Sequence, residues 1–119
     1  MRDHRTLKAW QEARSIVLDV ILLSQRSWKP WAGAMFFQLQ RSSLSVQLNL
    51  AEGYAYGPGR SAMRFWKIAY GSAVETGDLL ILLGDAGVVD QDASHQLARR
   101  NDGVQQLISG MLRKMRAFG

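Results

Sequence analysis

The residues that most often carry enzyme chemistry are few in this sequence and poorly spaced for it. The two histidines, His4 and His95, are expected near opposite ends of a helical bundle and so cannot share a metal. A di-iron helical bundle needs Glu-x-x-His pairs on two helices, and none of Glu12, Glu52 and Glu75 has such a histidine. The chain has no cysteine, which excludes thiolate metal sites and disulfides. We therefore expect no catalytic residue, no metal and no cofactor.

A phosphate-binding loop is the other chemistry that the sequence could hold. The segment from Tyr56 to Ser61 is glycine-rich and contains an arginine, but it lacks the preceding strand and the lysine of such a loop. A Gly-x-Ser-x-Gly nucleophile elbow is also missing from the sequence. These patterns favour a binding or structural protein over an enzyme.

The composition predicts one compact, mildly basic domain over residues 1–119. Of the 119 residues, 47% are hydrophobic and 21% charged, and 15 Lys and Arg against 10 Asp and Glu give a formal net charge of +5. A chain of this length buries roughly two thirds of its unfolded surface. The longest apolar run, from Ile16 to Leu23, contains Asp19 and is far shorter than the ~20 residues of a membrane helix. We expect a cytoplasmic protein without a membrane segment.

Turn signals divide the chain into four segments. Pro30 marks the first break, because proline disfavours a helix before it and suits a helix start. Gly57 to Gly59 marks the second. Glycines at 84 and 87 mark the third, and Asp90 or Asp92 could cap the helix that follows.

Each segment has the hydrophobic periodicity of a helix. In the last segment Leu97, Val104 and Ile108 follow 3-4 spacing, and Asn101 is the one polar member of the stripe. Serines at 42, 43 and 45 interrupt the stripe of the second segment. Sustained period-2 alternation, which would indicate strands, does not occur. The sequence therefore predicts an all-α, antiparallel, up-down-up-down four-helix bundle.

Two opposite-charge pairs are predicted to face each other across the second and third helices. If Pro58 is the centre of the hairpin, Arg41 faces Glu75 and Glu52 faces Arg64. Within each helix the two members are eleven residues apart, which is three turns, so both pairs fall along one seam. The seam is either a polar ligand site or a pair of structural ion clamps that fix the helix register. We favour the clamps.

Basic residues are predicted to gather at one end of the bundle, where both termini and the second turn meet. Nine basic residues fall there against only two acidic ones, Asp3 and Glu52. The nine are Arg2, Arg5, Lys8, Arg60, Arg64, Lys67, Arg113, Lys114 and Arg116. Four aromatic residues that could stack on unpaired bases are Tyr54, Tyr56, Phe65 and Phe118. This end is either a polyanion site or a solvated charged surface.

A second surface is predicted around the first break, where large apolar residues are dense. These are Trp28, Trp31, Met35, Phe36 and Phe37. They could simply cap the bundle core. Aromatic and methionine side chains are also enriched in interface cores, and we favour a subunit or partner interface.

An ordered set of residues resembles a known family. It comprises 38–41 (Gln-Leu-Gln-Arg), 45–53 with its Asn-x-Ala-Glu-Gly element, and 64–75 with its Gly-Ser-x-x-Glu element. The opening at 7–13 (Leu-Lys-Ala-Trp-Gln-Glu-Ala) matches as well. Over roughly residues 5 to 90 the chain resembles the four-helix-bundle family encoded in intervening sequences of bacterial 23S ribosomal RNA genes.

The resemblance implies an all-helical protomer without known enzymatic activity, frequently assembled as a homopentamer. A related protein is the accessory variability factor of diversity-generating retroelements, a basic pentamer that binds reverse transcriptase and nucleic acid. We therefore expect a self-associating accessory protein that binds RNA or DNA without sequence preference, with a reverse transcriptase or another protein as a further partner. The alternative is a protein-interaction scaffold that does not itself bind nucleic acid.

Overall fold

The computed structural model describes residues 3–117, which form four long helices and no strand within that range. The helices are α1 (Lys8–Ser27), α2 (Gly33–Ala55), α3 (Arg60–Asp85) and α4 (Gln91–Arg116), and short 3-10 turns at His4–Thr6 and Pro30–Ala32 precede α1 and α2. Each helix packs on its chain neighbours, and α1 also packs on α4, in a body of 45 × 22 × 21 Å. The predicted all-α four-helix bundle is confirmed.

The helix boundaries follow the local chemistry of the turn residues. Asp90 caps α4, because its carboxylate accepts a hydrogen bond of 2.9 Å from the backbone N–H of Ala93. Gly57 and Gly59 have φ of 75° and 139°, a region that disfavours side chains, and they turn the chain between α2 and α3. Pro30 begins the 3-10 turn that leads into α2. All three predicted breaks are therefore confirmed.

The serines that interrupt the α2 stripe form its contact with α3. Ser42 is buried and accepts a hydrogen bond of 2.9 Å from the hydroxyl of Thr76, and Ser45 and Ser72 lie 2.8 Å apart through their hydroxyl oxygens. Small hydroxyl side chains let the two backbones approach closely while their polar groups remain satisfied. The seam between α2 and α3 is therefore polar but not ionic.

The contact between α3 and α4 depends on one buried polar side chain and on one glycine. The buried side chain of Asn101 donates a hydrogen bond of 2.7 Å to the carbonyl of Ala73. A Cβ built at Gly84 would lie 2.0 Å from the hydroxyl oxygen of Ser94. The polar position in the α4 stripe is therefore a buried contact that links two helices.

Replacing Gly53 by alanine should destabilise the bundle although alanine is the better helix former. A Cβ at Gly53 would lie 2.5 Å from Nε1 of Trp66, whose N–H donates to the carbonyl of Leu50 at 3.3 Å. Overpacking of this kind should lower the free energy of unfolding by about 1–3 kcal/mol, as measured by urea denaturation.

The matched control is Gly103→Ala, since Gly103 lies exposed within α4 and a Cβ there would meet nothing within 4 Å. That change should raise the free energy of unfolding by about 0.5–1 kcal/mol. Equal stabilisation by both substitutions would show that Trp66 does not pack against α2 at Gly53.

Candidate nucleic-acid interface

One end of the bundle collects the predicted basic residues. The start of α1, the turn between α2 and α3, and the end of α4 meet there, and the N–H of Gly59 lies 3.2 Å from the sulfur of Met115. We call this end the basic pole. Its basic side chains are all exposed: Arg5, Lys8, Arg60, Arg64, Lys67, Arg113, Lys114 and Arg116. Arg2, which is also predicted at this end, lies outside the described residues.

The basic pole has few acidic partners. Asp3 forms an ion pair of 2.9 Å with Arg5, and hydrogen bonds from Arg5 hold the pKa of the Asp3 carboxyl below its ordinary value. Glu52 is exposed and forms no ion pair within residues 3–117. The guanidinium of Arg113 donates a hydrogen bond of 3.0 Å to the hydroxyl of Ser109. Because that hydroxyl is neutral, the charge of Arg113 is not compensated. Of the eight described cations, only Arg5 is paired.

The helix dipoles do not explain all of these cations. Arg113, Lys114 and Arg116 lie in the last turn of α4, where the dipole favours positive charge. Lys8 and Arg60 are the first residues of α1 and α3, whose first turns contain no acidic residue and no side-chain cap. The dipole disfavours a cation at such a position by a few tenths of a kcal/mol. These two residues are therefore not placed for helix stability.

At the opposite end of the bundle, Asp85 and Lys29 have hydrogen-bond partners within the chain. The carboxylate of Asp85 accepts a hydrogen bond of 2.9 Å from the side-chain amide of Gln91 and lies 3.1 Å from Nε2 of His95. These two hydrogen bonds lower the pKa of the Asp85 carboxyl. The ammonium of Lys29 donates to two backbone carbonyls, those of Ser27 and Val88, at 3.2 and 2.7 Å. Exposed cations without acidic partners are therefore most concentrated at the basic pole.

The aromatic residues of the basic pole are less available than predicted. Tyr56 is 64% exposed but stacks on Phe65, with ring centroids 5.4 Å apart and planes at 3°. One face of Tyr56 is therefore covered. Tyr54 is half-buried and packs against the core. Phe118 lies outside the described residues.

The predicted ion clamps are wrong. The three ion pairs among residues 3–117 are Asp3–Arg5, Asp85–His95 and Asp19–Arg100. Neither of the predicted pairs, Arg41–Glu75 and Glu52–Arg64, is among them, and all four of these side chains are exposed.

The physical reason is that the hydroxyls of α2 and α3 occupy the inner seam, which turns the charged residues outwards. The side-chain amide of Gln38, rather than Arg41, donates to Glu75. The side chain of Arg41, the predicted partner of Glu75, is exposed to solvent.

The predicted aromatic surface divides into core and exposed parts. Phe36 is fully buried and Met35 packs against the core, so these two serve as the bundle cap. Trp31 and Phe37 are 70% and 60% exposed. Trp28 is partly exposed, and its ring centroid lies 5.5 Å from those of Phe36 and Phe37. Only Trp28, Trp31 and Phe37 remain available for an interface.

A larger set of exposed apolar side chains was not predicted from the sequence. It runs over three helices: Leu18, Ile21 and Leu22 on α1, Leu44 and Leu48 on α2, and Ile68, Val74, Ile81 and Leu82 on α3. The sequence indicates these side chains in one way: they are apolar residues that do not belong to the stripes of 3-4 spacing that predict the core. Single exposed apolar residues are normal, but extended groups of them mark interaction surfaces.

Neither a metal centre nor a membrane-spanning helix is found among residues 3–117. No group of three or more histidine or carboxylate side chains could hold a metal ion there. None of the helices in that range is long and apolar enough to cross a membrane.

The fold and the basic pole together define a basic, all-α four-helix-bundle protein. Residues 5–110 match the family model of the 23S rRNA-intervening sequence protein, and the chain belongs to that family. The match confirms the resemblance drawn from residues 5 to 90 and extends it through most of α4. Among curated proteins, no relative matches this chain.

Because the contact between α2 and α3 is made by hydroxyl groups, removing a hydroxyl should destabilise the bundle more than removing a charged side chain of the predicted clamps. Thr76→Val removes hydrogen bonds to Ser42 and to the Ser72 carbonyl, and should lower the free energy of unfolding by about 1 kcal/mol. Arg41→Ala removes an exposed, unpaired side chain and should change it by less than about 0.5 kcal/mol. A larger loss for Arg41→Ala than for Thr76→Val, in urea denaturation, would restore the ionic clamp.

Proposed function

We propose that this chain is a non-enzymatic, self-associating accessory protein that binds nucleic acid through its basic pole. The observation that carries the proposal is the group of exposed cations without acidic partners, which includes Lys8 and Arg60 at helix starts where the dipole disfavours them. Binding of phosphate would compensate that charge. Membership of the 23S rRNA-intervening sequence protein family is compatible with a nucleic-acid-associated role.

Binding at the basic pole would have little sequence preference. The pole consists of helix ends and a turn, and the four helices lie along one another. In a duplex, base edges are read by an element that enters a groove, such as an α-helix or a two-stranded β-ribbon. Contacts from helix ends would instead neutralise phosphates, which carry no sequence information. The affinity should therefore depend on charge and salt rather than on the sequence of the RNA or DNA.

Self-association is supported by the exposed apolar residues and by one glycine. Gly71 lies exposed in the middle of α3 between Ile68 and Val74, and a Cβ there would meet nothing within 4 Å. Packing within the protomer thus does not account for this glycine, which costs a helix about 0.5–1 kcal/mol relative to alanine. Close approach of a second copy would account for it. The family resemblance implies five copies.

A second candidate function is a protein-interaction scaffold. Trp31 and Phe37 are the most exposed large aromatic side chains at the end opposite the basic pole. Aromatic residues of this kind are typical anchors of protein interfaces. A partner protein, of which a reverse transcriptase is one example, could bind there while nucleic acid occupies the pole.

Neutralising the basic pole should weaken nucleic-acid binding and flatten its salt dependence. The variant replaces Lys8, Arg60, Lys114 and Arg116 by glutamine. Each phosphate that these side chains no longer neutralise keeps its counterions. The slope of log Kobs against log salt, which is negative, should therefore become shallower by up to about 3 for a single strand. Fluorescence anisotropy with a labelled RNA over a range of salt concentrations measures both quantities.

The control replaces four other exposed, unpaired arginines by glutamine: Arg14, Arg26, Arg41 and Arg99. It changes the net charge equally and should retain most of the affinity. Equal losses in both variants would show that attraction is diffuse and that the pole is not a site. An absence of wild-type binding at about 50 mM salt would favour the scaffold function.

Charge on the apolar surface of α2 should disrupt self-association. Leu44→Glu places a carboxylate on a 43% exposed leucine that we assign to the subunit contact, and burial of an unpaired charge opposes assembly. Sedimentation equilibrium at micromolar concentration should give an oligomer for the wild type and a lower mass for this variant. Gln96→Glu, on the exposed face of α4, is the control with the same charge change and should assemble normally. A wild type of 13.4 kDa would contradict self-association.

A further inference from the structure

A groove between α3 and α4 is lined by polar side chains and one aromatic ring. Its volume is about 560 Å³, and its walls are formed by Tyr70, Asp102, Gln105, Gln106, Ser109 and Arg113. Within residues 3–117, the hydroxyl of Tyr70 and the side-chain amides of Gln105 and Gln106 have no hydrogen-bond partner. The groove thus presents an aromatic ring, two free amides and a guanidinium on one surface.

One side chain of the groove lining, that of Arg113, also belongs to the basic pole. Antiparallel packing places the start of α3 beside the end of α4, so Lys67 and Arg113 of the basic pole lie on the two helices that form the groove. At 1.5 Å per residue, the stretch of α4 from Arg116 to Asp102 is about 21 Å long. Cations therefore occur at the pole end of the groove, and the one carboxylate in its lining, that of Asp102, is furthest from the pole.

We infer that this groove binds a single-stranded polynucleotide that enters from the basic pole, an inference that rests on the function proposed above. The ring of Tyr70, 38% exposed, would stack on an unpaired base. The amides of Gln105 and Gln106 would accept and donate hydrogen bonds to base edges, and Arg113 and Lys67 would neutralise phosphates. The carboxylate of Asp102 would repel the phosphates of the bound strand, so the bound segment would end there.

A single strand fits this lining better than a duplex does. Stacking on Tyr70 requires a base whose face is free, which a paired and stacked base does not offer. The groove therefore adds a preference that the basic pole alone does not have, since phosphate neutralisation is common to both forms. The shared chemistry of unpaired bases and phosphates admits both RNA and DNA strands.

The test compares single-stranded and duplex oligonucleotides of about 20 nucleotides, each as RNA and as DNA, by fluorescence anisotropy on the full chain. Wild type should bind single strands more tightly than duplexes. Tyr70→Ala should weaken single-strand binding roughly 5-fold or more and leave duplex binding unchanged, whereas Tyr70→Phe, which keeps the ring, should bind like wild type. Gln96→Ala, which truncates an exposed side chain of α4 outside the groove, is the control and should retain affinity.

A charge test uses Asp102→Asn, which should tighten single-strand binding because it removes the repulsion at the end of the groove. Asp92→Asn, at the opposite end of the bundle, makes the same change in net charge and should have no effect. Equal effects of the two changes, or no selective loss of single-strand binding in Tyr70→Ala, would overturn the inference. If the wild type then still binds and the four-residue basic-pole variant does not, the proposed function stands without the groove.

Discussion

Close approach of α3 to both of its neighbours is the constraint on which the rest of this bundle depends. Space for a Cβ is missing at Gly53 and Gly84, because Trp66 and Ser94 fill it. The hydroxyl of Thr76 donates to that of Ser42 across the α2–α3 contact, and Ser42 donates to the carbonyl of Leu39. A slip of one helix past another would bring larger side chains to these positions and leave buried polar groups unpaired, so the antiparallel register is strongly specified.

That register decides where charge and apolar surface lie. It brings the start of α1, the α2–α3 turn and the end of α4 together, and so concentrates cations that are far apart in the sequence. It also places Lys67 and Arg113 on the helices that form the groove beside Tyr70. Trp31 and Phe37 fall at the other end. Nucleic acid and a partner protein could therefore bind without competing for the same surface.

The fold could be predicted because periodicity, glycine turns and the Asp90 cap all reflect local preferences of the chain. The ion pairs could not. Arg41 and Glu75 match in register but not in rotation about their helix axes, and the hydroxyls of Ser42 and Thr76 took the inner positions. The basic pole could be predicted from the order and direction of the helices alone. The stacking of Phe65 on Tyr56 could not, because it depends on side-chain packing that the sequence pattern does not contain. The groove at Tyr70 required residues of two helices to be seen together.

The four lysines provide the most direct test of the claim that the basic pole is the nucleic-acid site. Lys8, Lys67 and Lys114 lie at the pole, and Lys29 lies at the opposite end, hydrogen-bonded to Val88. Acetylation of each lysine, measured by mass spectrometry with and without a bound RNA, compares every residue with itself. We expect protection of the three pole lysines and an unchanged rate at Lys29. Equal protection of Lys29, or no protection at the pole, would contradict nucleic-acid binding at the basic pole.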